Sequence, residues 1–177
     1  MKPMQPEQAN FLLQNLLPSL KNEHRTTKSV IQAIPADKGD YRPDPCARSA
    51  MELARHIAAS ETRFMQTVLS GEFNTNGVII PETVKNSADL TAWYTGQFEK
   101  NFAALTETTT DQLLKIVDFR GMFQRPAVSF LQLMLAHSVH HRGQLSTYLR
   151  PMGAKVPAIY GESYDSAQAK QATPGAR

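Results

Sequence analysis

Cysteine is nearly missing from this chain: Cys46 is the single one in 177 residues. No intrachain disulfide can form, and folding needs no oxidising compartment. Long apolar runs are missing as well. No stretch reaches the roughly 20 residues that cross a bilayer, and Pro18 interrupts the best apolar segment of the N-terminal MKPMQPEQANFLLQNLLPSL, so no secretory signal is expected there. Nor is there a strong excess of one charge. Nineteen Lys and Arg stand against sixteen Asp and Glu, a net charge of +3, with the basic residues dispersed along the chain; a nucleic-acid footprint would require them clustered. Alternation of apolar and polar residues is scarce, and no internal repeat occurs. These absences lead to the expectation of a soluble, cytoplasmic protein with no nucleic-acid or membrane partner.

The sequence does hold enough apolar material for a core, with 41% hydrophobic and 20% charged residues, and its length suits one domain. Four long helical patterns fill it. The first spans about Glu7 to Ile34, with Leu13, Leu16, Leu17, Leu20, Val30 and Ile31 at helical spacing; Pro18 should kink or break it. PADKGDYRPDP reads as a loop, and Asp44-Pro45 as the start of the second helix, which carries Leu53, Ile57, Phe64, Met65 and Val68 and stops at Ser70-Gly71. A polar loop covers 72–85. The third helix begins near Asn86 or Ser87 and carries Leu90, Trp93, Tyr94, Phe98, Phe102 and Leu105, all read as core. Leu113 to Phe119 suits either a helical turn or a short extended piece. Pro126 opens the fourth pattern, which runs through Leu131, Met134, Leu145 and Leu149 to Pro151-Met152-Gly153. The expectation is an all-α four-helix bundle with long connecting loops, a single domain over 1–164, and a flexible tail over 165–177.

Chemistry concentrates in the fourth helix, in AHSVHHRGQLSTYLR. At 100° per residue, His137 and His141 lie about 40° apart and one turn along, so both rings can meet one ion. They fall on a stripe with Phe130, Met134, Leu145 and Tyr148, which should face the bundle interior. Burying two unpaired imidazoles costs roughly 1–3 kcal/mol each. Either hydrogen bonds to carbonyls or a metal must satisfy them, and neutral imidazole is a good ligand for zinc, nickel or iron. His56, beside Ile57 and Phe64 on the second helix, is a candidate third ligand, and three nitrogens with one open position match catalytic sites better than structural ones. Ser138 occupies the place where zinc proteases carry a glutamate, so the pair is not that motif.

The neighbouring residues are more ambiguous. His140 lies about 100° around the helix from His141 and either exchanges as a ligand or sits at a surface or interface. Arg142 and Gln144 are candidates for holding substrate or orienting a ligand imidazole; for Arg142 an ion pair with another helix or subunit is the plainer reading. Gly143 would permit close helix approach. Tyr160 folds back as a lid or simply packs. His24, among Lys21, Glu23, Arg25 and Lys28, reads as part of a solvated face, and Cys46 lacks the local partners of a nucleophile. Glu61 is turned about 140° from His56, a poor place for a general base.

Three segments together carry a resemblance: HSVHHRGQLSTYLRPMGAKVPAIYG, ELARHIAASETRF and PADKGDYRP. They resemble the DinB family of damage-inducible bacterial four-helix bundles, which includes YfiT-like proteins classed as metal-dependent hydrolases. The similarity runs from the first helix to about Gly161. It implies a metal triad of His56, His137 and His141, nickel or zinc as the usual ion with iron or manganese as alternatives, and a homodimer. It does not imply DNA binding. For the reaction it leaves three readings open: a transferase conjugating a low-molecular-weight thiol to a small-molecule substrate, a hydrolase, or a non-enzymatic metal-binding stress-response protein. The missing acid–base partner favours the first, because a thiolate stabilised by an ion needs little proton shuttling.

Overall fold

In the computed structural model the described residues are 3–172. Four long helices dominate: α1 (Pro6–Gln32), α2 (Ala50–Ser70), α3 (Ser87–Thr106) and α5 (Ser129–Leu149). Between α3 and α5 lie a short α4 (Thr110–Leu114) and an antiparallel hairpin of β1 (Ile116–Asp118) and β2 (Gln124–Pro126), in which Val117 pairs with Arg125. The segment 113–119 thus takes both of its expected forms in succession. A final helix, α6 (Tyr164–Ala172), follows. α2 packs chiefly on α5 and α3, and α1 spans α3 and α5. The fold is all-α in class, as expected.

Several boundaries differ from the sequence reading. α1 passes through Pro18 unbroken; Pro18 and Gln14, whose carbonyl the proline leaves without a donor, both face solvent, and water can satisfy that oxygen. α2 starts five residues after Pro45. Asp44 instead accepts from the amides of Cys46 and Ala47 in a turn, and the helix is capped by Ser49, whose hydroxyl accepts from Glu52 N while Glu52 accepts from Ser49 N. Asn86 and Asp89 form the same reciprocal cap on α3. At its far end α2 stops on Gly71, which has φ 71°. Pro126 belongs to β2 rather than to α5, because the hairpin claims it for its ladder. Most of the expected tail is helical: Ser163 caps α6 through Ser166, and Asp165 accepts from Val156 N and pairs with Arg150 at 3.0 Å. Residues 173–177 of that tail lie outside the described residues.

The core is divided along the bundle axis. One apolar cluster gathers Leu13 and Leu20 of α1, Met65 of α2, Leu105 of α3 and Leu131 of α5. A second gathers Ile31, Ile57, Leu90 and Leu145. At the level where α1, α2 and α5 pass from one cluster to the other they carry buried polar residues: His24 and Thr27 on α1, Glu61 on α2, Ser138 and Arg142 on α5. Tyr94, in the second cluster, donates to Glu61 Oε2 at this level.

His24 therefore corrects the sequence reading. It is 8% exposed, stacked on Phe98 at 3.9 Å and tilted against Tyr94 at 4.3 Å, and neither ring nitrogen has a hydrogen-bond partner. Lys21 and Arg25 point outward, whereas Glu23 turns in to Arg142 and α1 buries this turn against α3. Burial, with a smaller contribution from Lys28, lowers the His24 pKa from 6.5 to about 4. Between those values the unfolded chain takes up a proton that the folded one refuses, so the stability due to neutral His24 is complete above pH 6.5 and fades as pH falls toward 4. We expect about 3 kcal/mol of acid destabilisation from this group. His24→Phe, which keeps a stacked ring, should lose correspondingly less stability than the wild type between pH 7 and pH 4.5 in urea titrations; parallel curves would rule the assignment out.

Candidate metal centre

α2 and α5 pack side by side, and each lifts histidines to the rim of the polar layer. His56 stands between buried Leu53 and Ile57, and His137 and His141 flank buried Ser138; all three imidazoles are half-buried. The sequence expectation placed His137 and His141 on the innermost stripe. The innermost positions at that level are instead Ser138 and Arg142, and the histidines are rotated toward solvent.

The three rings converge through one type of nitrogen. His56 Nε2 lies 3.1 Å from His137 Nε2 and 3.2 Å from His141 Nε2, and ring centroids are 4.5–4.9 Å apart. The Phe64 ring, 5.8 Å from that of His137, walls one side. Gln144 Oε1 accepts from His141 Nδ1 at 3.1 Å, and Gln144 Nε2 donates to Tyr148. With its proton held on Nδ1, His141 presents a bare Nε2 to its neighbours. Gln144 thus holds the His141 imidazole by a hydrogen bond.

Electrostatics keep these rings neutral. Burial, then the charge of Arg48, then His141 lower the His56 pKa to about 4. Burial and the other histidines bring His137 to about 4, and burial lowers His141. Three neutral imidazoles therefore meet at their Nε2 atoms, with the Nδ1 proton of His141 fixed by Gln144. A tetrahedral ion with Zn–N bonds of about 2.0–2.1 Å sets its nitrogens about 3.3 Å apart, and the observed spacing is close to that. Among the described residues, the histidines form a group that could hold a metal ion, with no carboxylate in it.

Other candidates fall elsewhere. His140 is exposed and, although its ring is 4.8 Å from that of His141, it is not part of the converging group. Arg142 is 1% exposed and pairs with Glu23 of α1 at 2.6 Å, with Thr27 and Tyr160 as further partners and no bond to the triad. The ion-pair reading of Arg142 is the one the structure bears out. Tyr160 does fold back, its hydroxyl accepting from Arg142 and donating to Glu23 at 2.9 Å, while its ring stays 68% exposed. It caps the ion pair and not the histidines. Glu61 is buried and bonded to Tyr94, and burial raises its carboxyl pKa against the opposing pull of the Tyr94 and Ser138 hydroxyls. Gly143 faces open space, so it serves no close helix approach. Trp93 is half-buried at the edge of the second cluster, Tyr94 and Phe98 are core, and Cys46 is exposed. The sequence reading missed Arg48, whose charge acts on all three histidines; it stands immediately before the Ser49 cap, which the misplaced helix start concealed.

No helix among the described residues is long and apolar enough to cross a membrane. The uncharacterized protein YjoA of Bacillus subtilis is 30% identical over 148 residues, 82% of this chain and 92% of that one. YrdA of the same organism, also uncharacterized, is 39% identical over 59 residues, 33% of this chain and 35% of that one. The crystal structure of the DinB-like YjoA superposes with a TM-score of 0.69 at 26% identity, covering 84% of this chain and 99% of YjoA. A DinB-like protein from Bacillus cereus shares the fold, with a TM-score of 0.63 at 22% identity over 83% of this chain and 97% of that one. The sequence pattern of the DinB family matches residues 4–174, nearly the whole chain and both histidine-bearing helices. This chain, with three histidines converging between α2 and α5, belongs to the DinB family.

Proposed function

We propose that His56, His137 and His141 hold one divalent ion, nickel or zinc, and that the protein is an enzyme transferring a low-molecular-weight thiol to an electrophilic small molecule. The observation that carries this reading is the convergence of three neutral Nε2 atoms at a half-open rim with no carboxylate among them. When bound, such an ion acts as a Lewis acid that lowers the pKa of a thiol or a water.

The chain's own residues supply the rest. Gln144 fixes the proton of His141 on Nδ1 and leaves its Nε2 free. Phe64 excludes water from one flank. The buried carboxyl of α2, Glu61, is engaged by Tyr94 inside the bundle and is not presented at the rim. Hydrolysis calls for a base that shuttles a proton between water and a leaving group. Thiol transfer has a smaller requirement: the sulfur forms a bond to the electrophilic carbon, the leaving group departs with its electron pair, and the thiol proton goes to solvent.

Purified protein reconstituted with zinc or nickel should conjugate cysteine- or glutathione-type thiols to 1-chloro-2,4-dinitrobenzene faster than metal-free protein, and chelator should abolish the increment. Absence of any metal-dependent rate across common thiols would sink the transferase reading; metal-dependent ester cleavage in its place would establish the hydrolase.

A further inference from the structure

A second cluster of unusual groups adjoins the triad along α2. Arg63 follows His56 by seven residues, a rotation that returns to within about 20° of the same helix face and a rise of about 10 Å. Its guanidinium lies 4.0 Å from the centroid of the Phe73 ring, and that of Arg120 lies 5.7 Å from the same ring. Phe73 in turn contacts Phe64 and Phe119, with centroids 6.1 and 4.6 Å away, and Phe64 is the ring that touches His137. A continuous aromatic wall therefore runs from the triad to two cations.

Those cations lack counterions. Among the described residues no ion pair involves Arg63 or Arg120. Arg63 Nε and Nη2 are buried with no hydrogen-bond partner, and the influences that lower its pKa are burial and Arg120, with no acidic group opposing them. Arg120 is also the only non-glycine described residue with positive φ, at 56°, so a disfavoured backbone in the β1–β2 turn accompanies its place beside Phe73. Two cations against one ring, one of them partly desolvated, are unfavourable by themselves, and their contacts with that ring offset this only in part. An oxyanion would relieve both the repulsion and the unmet donors, and a guanidinium fork matches carboxylate or phosphate oxygens.

We propose that Arg63 and Arg120, set against Phe73, form an oxyanion-binding site that anchors the anionic end of the substrate while its reacting end lies at the triad. The anion site stands on its own geometry; its service to substrate rests on the reading of the triad as the reaction centre. The distance along α2 fits an extended molecule of about 10 Å with a carboxylate or phosphate at one end.

Calorimetric titration of the full chain at low salt, with and without zinc, should detect binding of succinate or inorganic phosphate, and the comparison tells carboxylate from phosphate. Arg63→Gln and Arg120→Gln should each weaken that binding tenfold or more, whereas His56→Ala should leave it within twofold. Arg120 is exposed, so its variant should fold even if that of Arg63 does not. No binding of either anion, binding unchanged in Arg120→Gln, or binding lost in His56→Ala would each overturn the site. In the conjugation reaction, Arg120→Gln should raise KM for a carboxylate-bearing thiol tenfold or more with little change in kcat, and leave KM for 2-mercaptoethanol unaltered; equal effects on both thiols would remove the anchoring role. Anion binding without any metal-dependent rate would refute the triad as reaction centre and leave the oxyanion site standing.

Discussion

Truncating Arg142 to alanine should cost about 3–5 kcal/mol of folding stability, the range found when one member of a buried ion pair is removed. Among the described residues Arg142 is the largest fully buried side chain, and its Nη1 reaches Glu23 at 2.6 Å, the Glu23 backbone oxygen at 3.3 Å and Thr27 at 3.3 Å. Alanine would leave a cavity and strand a carboxylate that is only one-fifth exposed. Much of the loss should be this stranding, so adding Glu23→Gln to Arg142→Ala should recover part of it. Arg142→Met, of similar volume and apolar, should cost less than alanine. Urea unfolding of the four proteins measures these differences; an Arg142→Ala loss below about 1 kcal/mol would show that the pair is effectively solvated.

The second large effect concerns metal content. Protein purified without a histidine tag should carry about one divalent ion per chain, and His56→Ala or His137→Ala should reduce this to near zero. His140→Ala should retain it, because His140 stands outside the converging Nε2 atoms. An ion that binds only the folded chain stabilises it by about 2.7 kcal/mol when present at 100 times its Kd. Nickel or zinc should therefore raise the melting temperature of the wild type and leave both triad variants unmoved. Metal content unchanged in His137→Ala, measured by elemental analysis, would falsify the assignment.

Much of this molecule was legible in its residues. Helical spacing of leucines and the signals at Ser70-Gly71 and Asn86 located the four long helices, because an amphipathic stripe and its caps are local properties. The pairing of His137 with His141 was local too, since residues four apart on a helix always share a face. His56 was different. Spacing made it a candidate, family resemblance selected it, and the packing of α2 on α5 brings its Nε2 to 3.1 Å from that of His137. Three places misread have one cause each: Asp44 caps a turn and not a helix, Pro18 is tolerated because its orphaned carbonyl is exposed, and His24 is buried despite charged neighbours in sequence.

What the sequence determined alone is thus the four long helices, the lack of an intrachain disulfide, the lack of an apolar run long enough to span a bilayer as a helix, and two of three converging imidazoles. Only the tertiary structure decided which polar residues lie inside. Arg142, Glu61, His24 and Ser138 come from three helices and meet where two apolar clusters adjoin. Burial is a property of the assembled bundle, set by helix rotation and register, and a charged residue read on one helix gives no sign of the partner that waits on another.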